Sequence, residues 1–301
     1  MTIKELLVLY ERNHVAFLKD RVGTSRRIQR YVGQLAHLDL HAVKRMQVID
    51  WFHAIAQQDG KQGANLALQQ LHAIYARAID WELFDGKNPA DRIKKFPKRS
   101  RERFVQASEM PYLMAAIQEE MPRTSTYFLC LLWTGARRDE ARLMKWTDLD
   151  LAKALWHKPT TKTGVPHTIP LPSQLVTKLQ QLPRVNEWVF PSHPNGKNNF
   201  QAGQWSVTSV ESAWQRIRAR ASLPDVRIHD LRRTCASWLA INGENLPVIQ
   251  RTLNHSSLVS TQVYARLSVA PVRRALNDQA EQMLGSLPAE PVNAIPQEWP
   301  G

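Results

Sequence analysis

Between Lys87 and Phe104 the chain carries eight basic and two acidic side chains in 18 positions, with Pro89 and Pro97 among them. No helical or alternating apolar pattern crosses this stretch, so it reads as a linker that divides the chain into two units, each obliged to fold around its own core. Residues 1–86 precede it and 105–285 follow it, both long enough to bury a sizeable core. The stretch is either a connection charged only for solubility or a basic strap lying along phosphates. The second reading accounts better for the clustering, because counterion release rewards grouped Lys and Arg.

The charge of the whole chain points the same way. Forty Lys and Arg against 27 Asp and Glu leave +13, and the sequence pI is about 10.0. A protein this basic with 43% hydrophobic residues is a folded partner of a polyanion, nucleic acid before membrane, and not a disordered basic tail. The longest apolar run, Tyr127 to Trp133, falls far short of the roughly 18 residues that span a bilayer. The N-terminus opens into an amphipathic pattern without a signal-peptide core. Two cysteines, Cys130 and Cys235, make no disulfide framework, and no CxxC or HExxH spacing suggests zinc. These features imply a reduced, cytoplasmic protein that uses no metal or other cofactor.

Residues 1–86 read as four short helices in a small bundle, over roughly 3–19, 25–36, 41–58 and a segment ending near Asp85-Gly86. In that last helix Leu71, Ile74, Tyr75, Ala78 and Ile79 share one face. The second is expected to begin after a Thr24-Ser25 cap. His37 and His41 have the spacing of a metal pair on one helical face, but without further ligands nearby they read as surface residues. Beyond the linker, 109–121 and 124–134 read as helices. Leu149 to His157 and His167 to Leu171 read as strands about a Thr163-Gly164 turn, and helices return at 206–221, 229–242, 246–253, 258–267 and 271–284. The fold expected is mainly α with a small β-hairpin or sheet (α+β) in the second domain. The tail 286–301, with four prolines, is expected to be mobile.

Four motifs follow in order within 105–285. Thr134-Gly135-Ala136-Arg137-Arg138-Asp139-Glu140 sets Arg137 in a glycine turn at a helix start. Lys162 lies in Thr160-Thr161-Lys162-Thr163-Gly164, between the candidate strands. His229-Asp230-Leu231-Arg232 puts His229 and Arg232 on one helical face. Leu253-Asn254-His255 is followed, nine residues after His255, by Tyr264. Singly each has a plain explanation: Arg137 could pair with Glu140, Lys162 could be a solvated turn lysine, His229 a helix cap and Tyr264 a core aromatic. Together two Arg, a Lys, two His and a Tyr form a phosphoryl-transfer set. No acidic cluster suited to Mg²⁺ and no GxxxxGK[ST] loop accompanies them, so a phosphodiester could be cleaved without metal or ATP.

On these motifs the chain resembles the tyrosine recombinases, also called the phage integrase family, over essentially its whole length. The separations fit: 25 residues from Arg137 to Lys162, 26 from His229 to His255 and nine from His255 to Tyr264. The resemblance implies a helical core-binding domain (1–86) and a catalytic domain (105–285). It also implies that Arg137 and Arg232 clamp the scissile phosphate, Lys162 reaches it from a β-hairpin, His229 and His255 complete the pocket, and Tyr264 is the nucleophile. Two forked guanidiniums suit a phosphate whose negative charge grows in the transition state. A phenol of pKa near 10 is only about 0.1% ionised at pH 7, so Tyr264 needs that field and a base, for which His229 is the candidate. Lys162 is the candidate acid for the 5′-oxygen. The sequence departs from the family at Asn254, where Gly is commoner, and at Arg233, where His is commoner. Asn tolerates a left-handed helix end, so the geometry is expected to survive.

The partner implied is double-stranded DNA with paired core sites, bound as a homotetramer on DNA and possibly with accessory bending or directionality factors. Val272, Leu276, Ala280 and Leu284 make an apolar stripe on 271–284 that either packs on its own domain or docks on a neighbouring protomer. Candidate DNA contacts are Arg26, Arg27, Arg30, Lys44, Arg45 and Lys61 on the bundle and Lys94, Lys95, Lys98 and Arg99 on the linker. Such a protein is expected on the nucleoid. The competing readings are a non-catalytic DNA-binding regulator on the same fold and a type IB topoisomerase-like enzyme that relaxes DNA without exchanging partners.

Overall fold

In the computed structural model, which describes residues 1–97, 101–159, 166–192, 205, 207–255, 257–267 and 269–285, the chain divides between Arg101 and Glu102, inside the basic stretch. Lys98, Arg99, Lys162, the Thr163-Gly164 turn and the tail 286–301 lie outside the described residues.

The first unit starts with a reciprocal cap. Thr2 Oγ1 accepts the Glu5 amide at 3.3 Å and Glu5 Oε2 accepts the Thr2 amide at 2.8 Å, launching α1 (Ile3–Asn13). Helix α2 (Arg21–Tyr31) is capped by Asp20, whose Oδ1 accepts the Gly23 amide at 3.1 Å, so it begins ahead of the Thr24-Ser25 pair that the sequence suggested. Helix α3 (Arg45–Asp80) joins what read as two helices, broken at Gly60, where φ is +78°. Leu6, Tyr10, Ile28, Phe52, Ile55, Leu71 and Tyr75 meet in the core between these elements. Ile79 is exposed, because the buried stripe closes at Ala78, one residue short of where the apolar pattern carried it. His37 and His41 fall outside any helix, and the His41 ring lies beside Phe84 and Asp85.

The basic stretch is not a free connection. Ala90 is buried with the first unit's core, Phe96 stacks on Phe52 at 4.8 Å, and the Asn65 side chain brackets Phe96 with two hydrogen bonds of 2.9 Å. At the other end Arg103 is held by Glu109 and Asp225, and Val105 is fully buried in the second unit. The apolar residues scattered among the charges dock, while Lys94 and Lys95 stay exposed.

The second unit is built around α5 (Pro122–Thr134), whose residues from Thr124 to Leu132 are all buried, with α4 (Met110–Gln118) before it and α6 (Arg138–Arg142) after it. A three-stranded antiparallel sheet follows: β1 (Leu149–Asp150), β2 (Leu155–Lys158) and β3 (His167–Pro170), in that order. The single strand expected over Leu149–His157 is two, because Asp150 Oδ1 accepts the Lys153 amide at 3.0 Å and turns the chain, with Ala154 at φ +54°. Register pairs Trp156 with Ile169 and Lys158 with His167. The remaining elements are α7 (Ser173–Gln180), α8 (Val207–Arg220), α9 (Ile228–Ile241), α10 (Leu246–Leu253) and α11 (Val269–Gly285). Residues 258–267, expected as one helical segment, form two 3-10 helices, Leu258–Ser260 and Gln262–Leu267. No helix among the described residues is long and apolar enough to cross a membrane.

Candidate active site

Helix ends carry the site. Helix α5 stops at Gly135, which caps it at φ +63°. A Cβ there would lie 2.7 Å from Leu253 Cδ2 and 3.3 Å from Cys235 Sγ, so both the backbone angle and the space demand glycine. Two residues later Arg137 is the N-cap of α6. Helix α10 ends at Asn254 with φ +49° and ψ +53°, the left-handed cap expected of an Asn in place of Gly.

Arg232, on the first turns of α9, ties these ends together. Its Nη1 donates to the Gly135 carbonyl at 2.6 Å and its Nη2 to the Leu253 carbonyl. Its side chain is only 4% exposed, and burial together with the Arg137 charge pushes its pKa down to about 10. It therefore stays about 99.9% protonated at pH 7. Among the described residues no carboxylate pairs with it directly; backbone dipoles hold it, so its charge is available to an anion.

Arg137 is held by Glu140. Oε1 accepts from Arg137 Nη1 at 2.8 Å and Oε2 accepts the Arg137 amide at 3.1 Å. Glu140 also accepts from Lys158 Nζ at 2.8 Å. Burial would raise the Glu140 carboxyl, but the Lys158 and Arg137 donors hold it at about 2. Lys158 was not among the residues the sequence singled out. The signal was strand alternation: in β2 Trp156 and Lys158 share the buried face, while His157 between them is exposed.

His229, one turn before Arg232, is exposed at the start of α9, with protein crowding its ring and the Arg233, Arg232 and Arg137 charges keeping it below the ordinary histidine range. His255 is half-buried, and its Nδ1 shares a 3.0 Å hydrogen bond with Thr261 Oγ1, which orients the ring. Burial, with the Arg232 and Arg137 charges, pushes its pKa down to about 4, so it is neutral at pH 7. Tyr264 lies buried against Ala236, Ala240, Ile249 and Leu253; burial raises its phenol while Arg232 and Arg233 pull it back down. Arg233, where the family more often has His, pairs with the buried Asp230 at 2.6 Å, and Asp230 in turn accepts the Arg227 amide at 2.9 Å, capping α9.

The described members of the candidate set thus lie on segments that meet at one cationic site, beside a cleft of about 550 Å³ whose lining includes Arg137, Glu140, Trp214, Arg218, Arg227 and His229. Among the described residues no group of three or more His, Cys, Asp or Glu is placed to hold a metal ion. Two guanidiniums, one buried and one half-exposed, with neutral imidazoles and a phenol at hand, suit capture of a phosphate and attack upon it.

The described candidate DNA contacts of the bundle and linker divide into two groups. Arg27 is paired with Asp20 at 3.0 Å, Arg30 donates to Asp59 at 3.0 Å, and Arg45 donates to the Arg92 carbonyl at 3.1 Å. Lys61 lies over the Phe96 ring. Arg26, Lys44, Lys94 and Lys95 are exposed.

Against known proteins, the model of the phage integrase family matches residues 103–270. The integrase of Salmonella phage P22 is 26% identical over 219 residues, a match covering 68% of this chain and 55% of that protein, so the chain spans about half the length of that relative. Tyrosine recombinase XerA of Pyrococcus furiosus is 25% identical over 219 residues, covering 70% of this chain and 72% of that one. Among solved structures, the Tn1549 transposon integrase in complex with transposon right-end DNA aligns with a TM-score of 0.72 at 18% identity, over 93% of this chain and 100% of that chain. A lambda integrase tetramer bound to a Holliday junction aligns with a TM-score of 0.70 at 17% identity, over 85% and 78%.

Proposed function

The chain belongs to the phage integrase family, and we propose that it is a site-specific DNA recombinase that cuts and rejoins strands through a 3′-phosphotyrosyl intermediate. The observation that carries this reading is Arg232: a buried, charged fork, anchored among the described residues by the carbonyls of Gly135 and Leu253, beside the buried phenol of Tyr264.

In this reading Arg137 and Arg232 bind the nonbridging oxygens of the scissile phosphate, and His255, neutral and oriented by Thr261, donates a hydrogen bond to one of them. His229 takes the Tyr264 proton as the phenolate oxygen attacks phosphorus. The bond to the 5′-oxygen breaks, and that oxygen collects a proton from Lys162. A 5′-hydroxyl from another strand then attacks the phosphotyrosine and expels Tyr264, so the energy of the phosphodiester is conserved and no ATP is needed. Losing one preorganised arginine donor costs about 2.7–4 kcal/mol of transition-state stabilisation, or 10²–10³ in rate.

The DNA partner follows from the net charge of +13, and phosphate contacts from Arg26, Lys44, Lys94 and Lys95 make affinity fall steeply with salt. The assembly is a homotetramer on paired core sites, joined by α11. Support comes from Leu276, Met283 and Leu284, which stand exposed on that helix, and from an apolar cavity of about 490 Å³ lined by Met110, Met114, Trp133, Trp238 and Leu239 that suits such a helix.

The test incubates wild type and Tyr264→Phe, without metal, with DNA flanking the gene, and looks for complexes that survive SDS. An adduct with wild type alone establishes the tyrosyl chemistry and maps the core site. Failure of wild type to form one on a nicked substrate at a bound site refutes it.

A further inference from the structure

Glu140 poses a problem for a phosphate clamp. It grips Arg137 through both the guanidinium and the backbone amide, at 2.8 and 3.1 Å, which fixes the fork. An isolated Arg–Glu pair, however, has no net charge, and such a pair attracts phosphate far less than a lone arginine does. The third member of the cluster removes the conflict. Lys158 Nζ lies 2.8 Å from Glu140 Oε2, its side chain 5% exposed and that of Glu140 12%. Lys158 is held there by the alternation of β2 and by the Trp156 ring, 5.1 Å from its ammonium. With Lys158 the cluster carries +1, and the unit of charge left over is the one Arg137 presents to the open site.

We propose that Lys158 is a positioning residue: it neutralises Glu140, so that Glu140 can orient Arg137 without cancelling the charge Arg137 offers to the phosphate. Lys158 acts through Glu140 and Arg137 and does not itself touch DNA. The proposal rests on the recombinase reading for its consequence in catalysis, but its electrostatic core is a property of the site and has its own readout.

The experiment compares wild type, Lys158→Met, Glu140→Gln and the double variant. Two measurements are made: binding of inorganic phosphate, followed by the ring resonances of His229 and His255, and single-turnover cleavage of a mapped DNA site. In the otherwise native protein, Lys158→Met weakens phosphate binding and slows cleavage by about 10- to 100-fold. In the Glu140→Gln background the same substitution changes each by no more than about twofold, because no carboxylate is left to cancel Arg137. Equal losses in both backgrounds would mean that Lys158 contacts the phosphate or donates a proton itself, and would overturn the proposal. So would an unaffected Lys158→Met protein. Thermal melts accompany each variant. Should Lys158→Met alone fail to fold, folding of the double variant is the expected sign that the unpaired Glu140 was responsible, and a tenfold loss relative to Glu140→Gln would still refute the role. A wild type that binds phosphate in the expected pattern but forms no tyrosyl adduct would refute the recombinase reading and leave Lys158 standing.

Discussion

Gly135→Ala tests how tightly the geometry of the candidate site depends on one backbone position. The residue sits at φ +63°, a conformation that costs an L-residue about 1–2 kcal/mol. The added Cβ would meet Leu253 Cδ2 at 2.7 Å, closer than side chains pack, and Cys235 Sγ at 3.3 Å. Relieving such overpacking typically costs about 1–3 kcal/mol. The expected loss is therefore about 2–5 kcal/mol in the unfolding free energy of the second unit. The damage should also reach the chemistry. The carbonyl of Gly135 and the carbonyl of Leu253 are the two acceptors of Arg232, so parting Gly135 from Leu253 shifts both sides of its anchorage at once. Cleavage should fall about 10- to 100-fold, since a displacement on the order of 1 Å in a clamp can cost 10²-fold. Urea denaturation measures the first effect as a lower midpoint at unchanged slope, and single-turnover cleavage measures the second. Adding Leu253→Ala to Gly135→Ala should show a favourable coupling of at least about 1 kcal/mol, because the truncated side chain vacates the space the new Cβ needs. A Gly135→Ala protein within about 0.5 kcal/mol of wild type and cleaving at the wild-type rate would refute this reasoning.

Three further outcomes follow from the titrating groups and the docked linker. Glu140, depressed from 4.5 to about 2, adds stability that is complete above pH 4.5 and lost as pH falls toward 2; acid titration of wild type against Glu140→Gln should reveal an increment of about 3 kcal/mol in that window. His255, depressed from 6.5 to about 4, remains neutral in the folded chain while the unfolded chain takes up a proton, so its contribution is complete above pH 6.5 and lost as pH falls toward 4; NMR titration of the ring should show a midpoint near 4, and a midpoint near 6.5 would contradict the burial described here. Phe96→Ala removes the stacking partner of Phe52 and should destabilise the first unit by about 1–3 kcal/mol, seen as a lower midpoint for that unit, although the residue belongs to a stretch that reads as linker.

Much of the site was legible because its chemistry needs particular residue types at particular separations. Arg137, His229, Arg232, His255 and Tyr264 stand out as a combination of motifs that resembles the tyrosine recombinases, and the described structure places them on converging segments. Lys158 was overlooked because a lysine in a short strand looks like a solvated one until the strand's inward face is known. The docking of Phe96 was overlooked for a related reason: one aromatic among many charges carries no periodicity, and only the groove beside Phe52 and Asn65 gives it a place. The start of α2 was missed because two capping residues, Asp20 and Ser25, compete within five positions and only the hydrogen bond to Gly23 decides between them.

Sequence by itself pointed to the class of chemistry, the mainly helical fold with its small sheet, a glycine turn at Gly135 and a left-handed cap at Asn254. These rest on residue type and local conformational preference, which act over a few positions. The tertiary structure alone decided which charges are spent and which remain for a substrate. Arg27 and Arg30 are paired with carboxylates, Arg232 is held by the carbonyls of Gly135 and Leu253, and Glu140 is shared between Arg137 and Lys158. Such pairings depend on burial and on distances of a few ångströms between residues up to about a hundred positions apart, and no pattern along the chain encodes them.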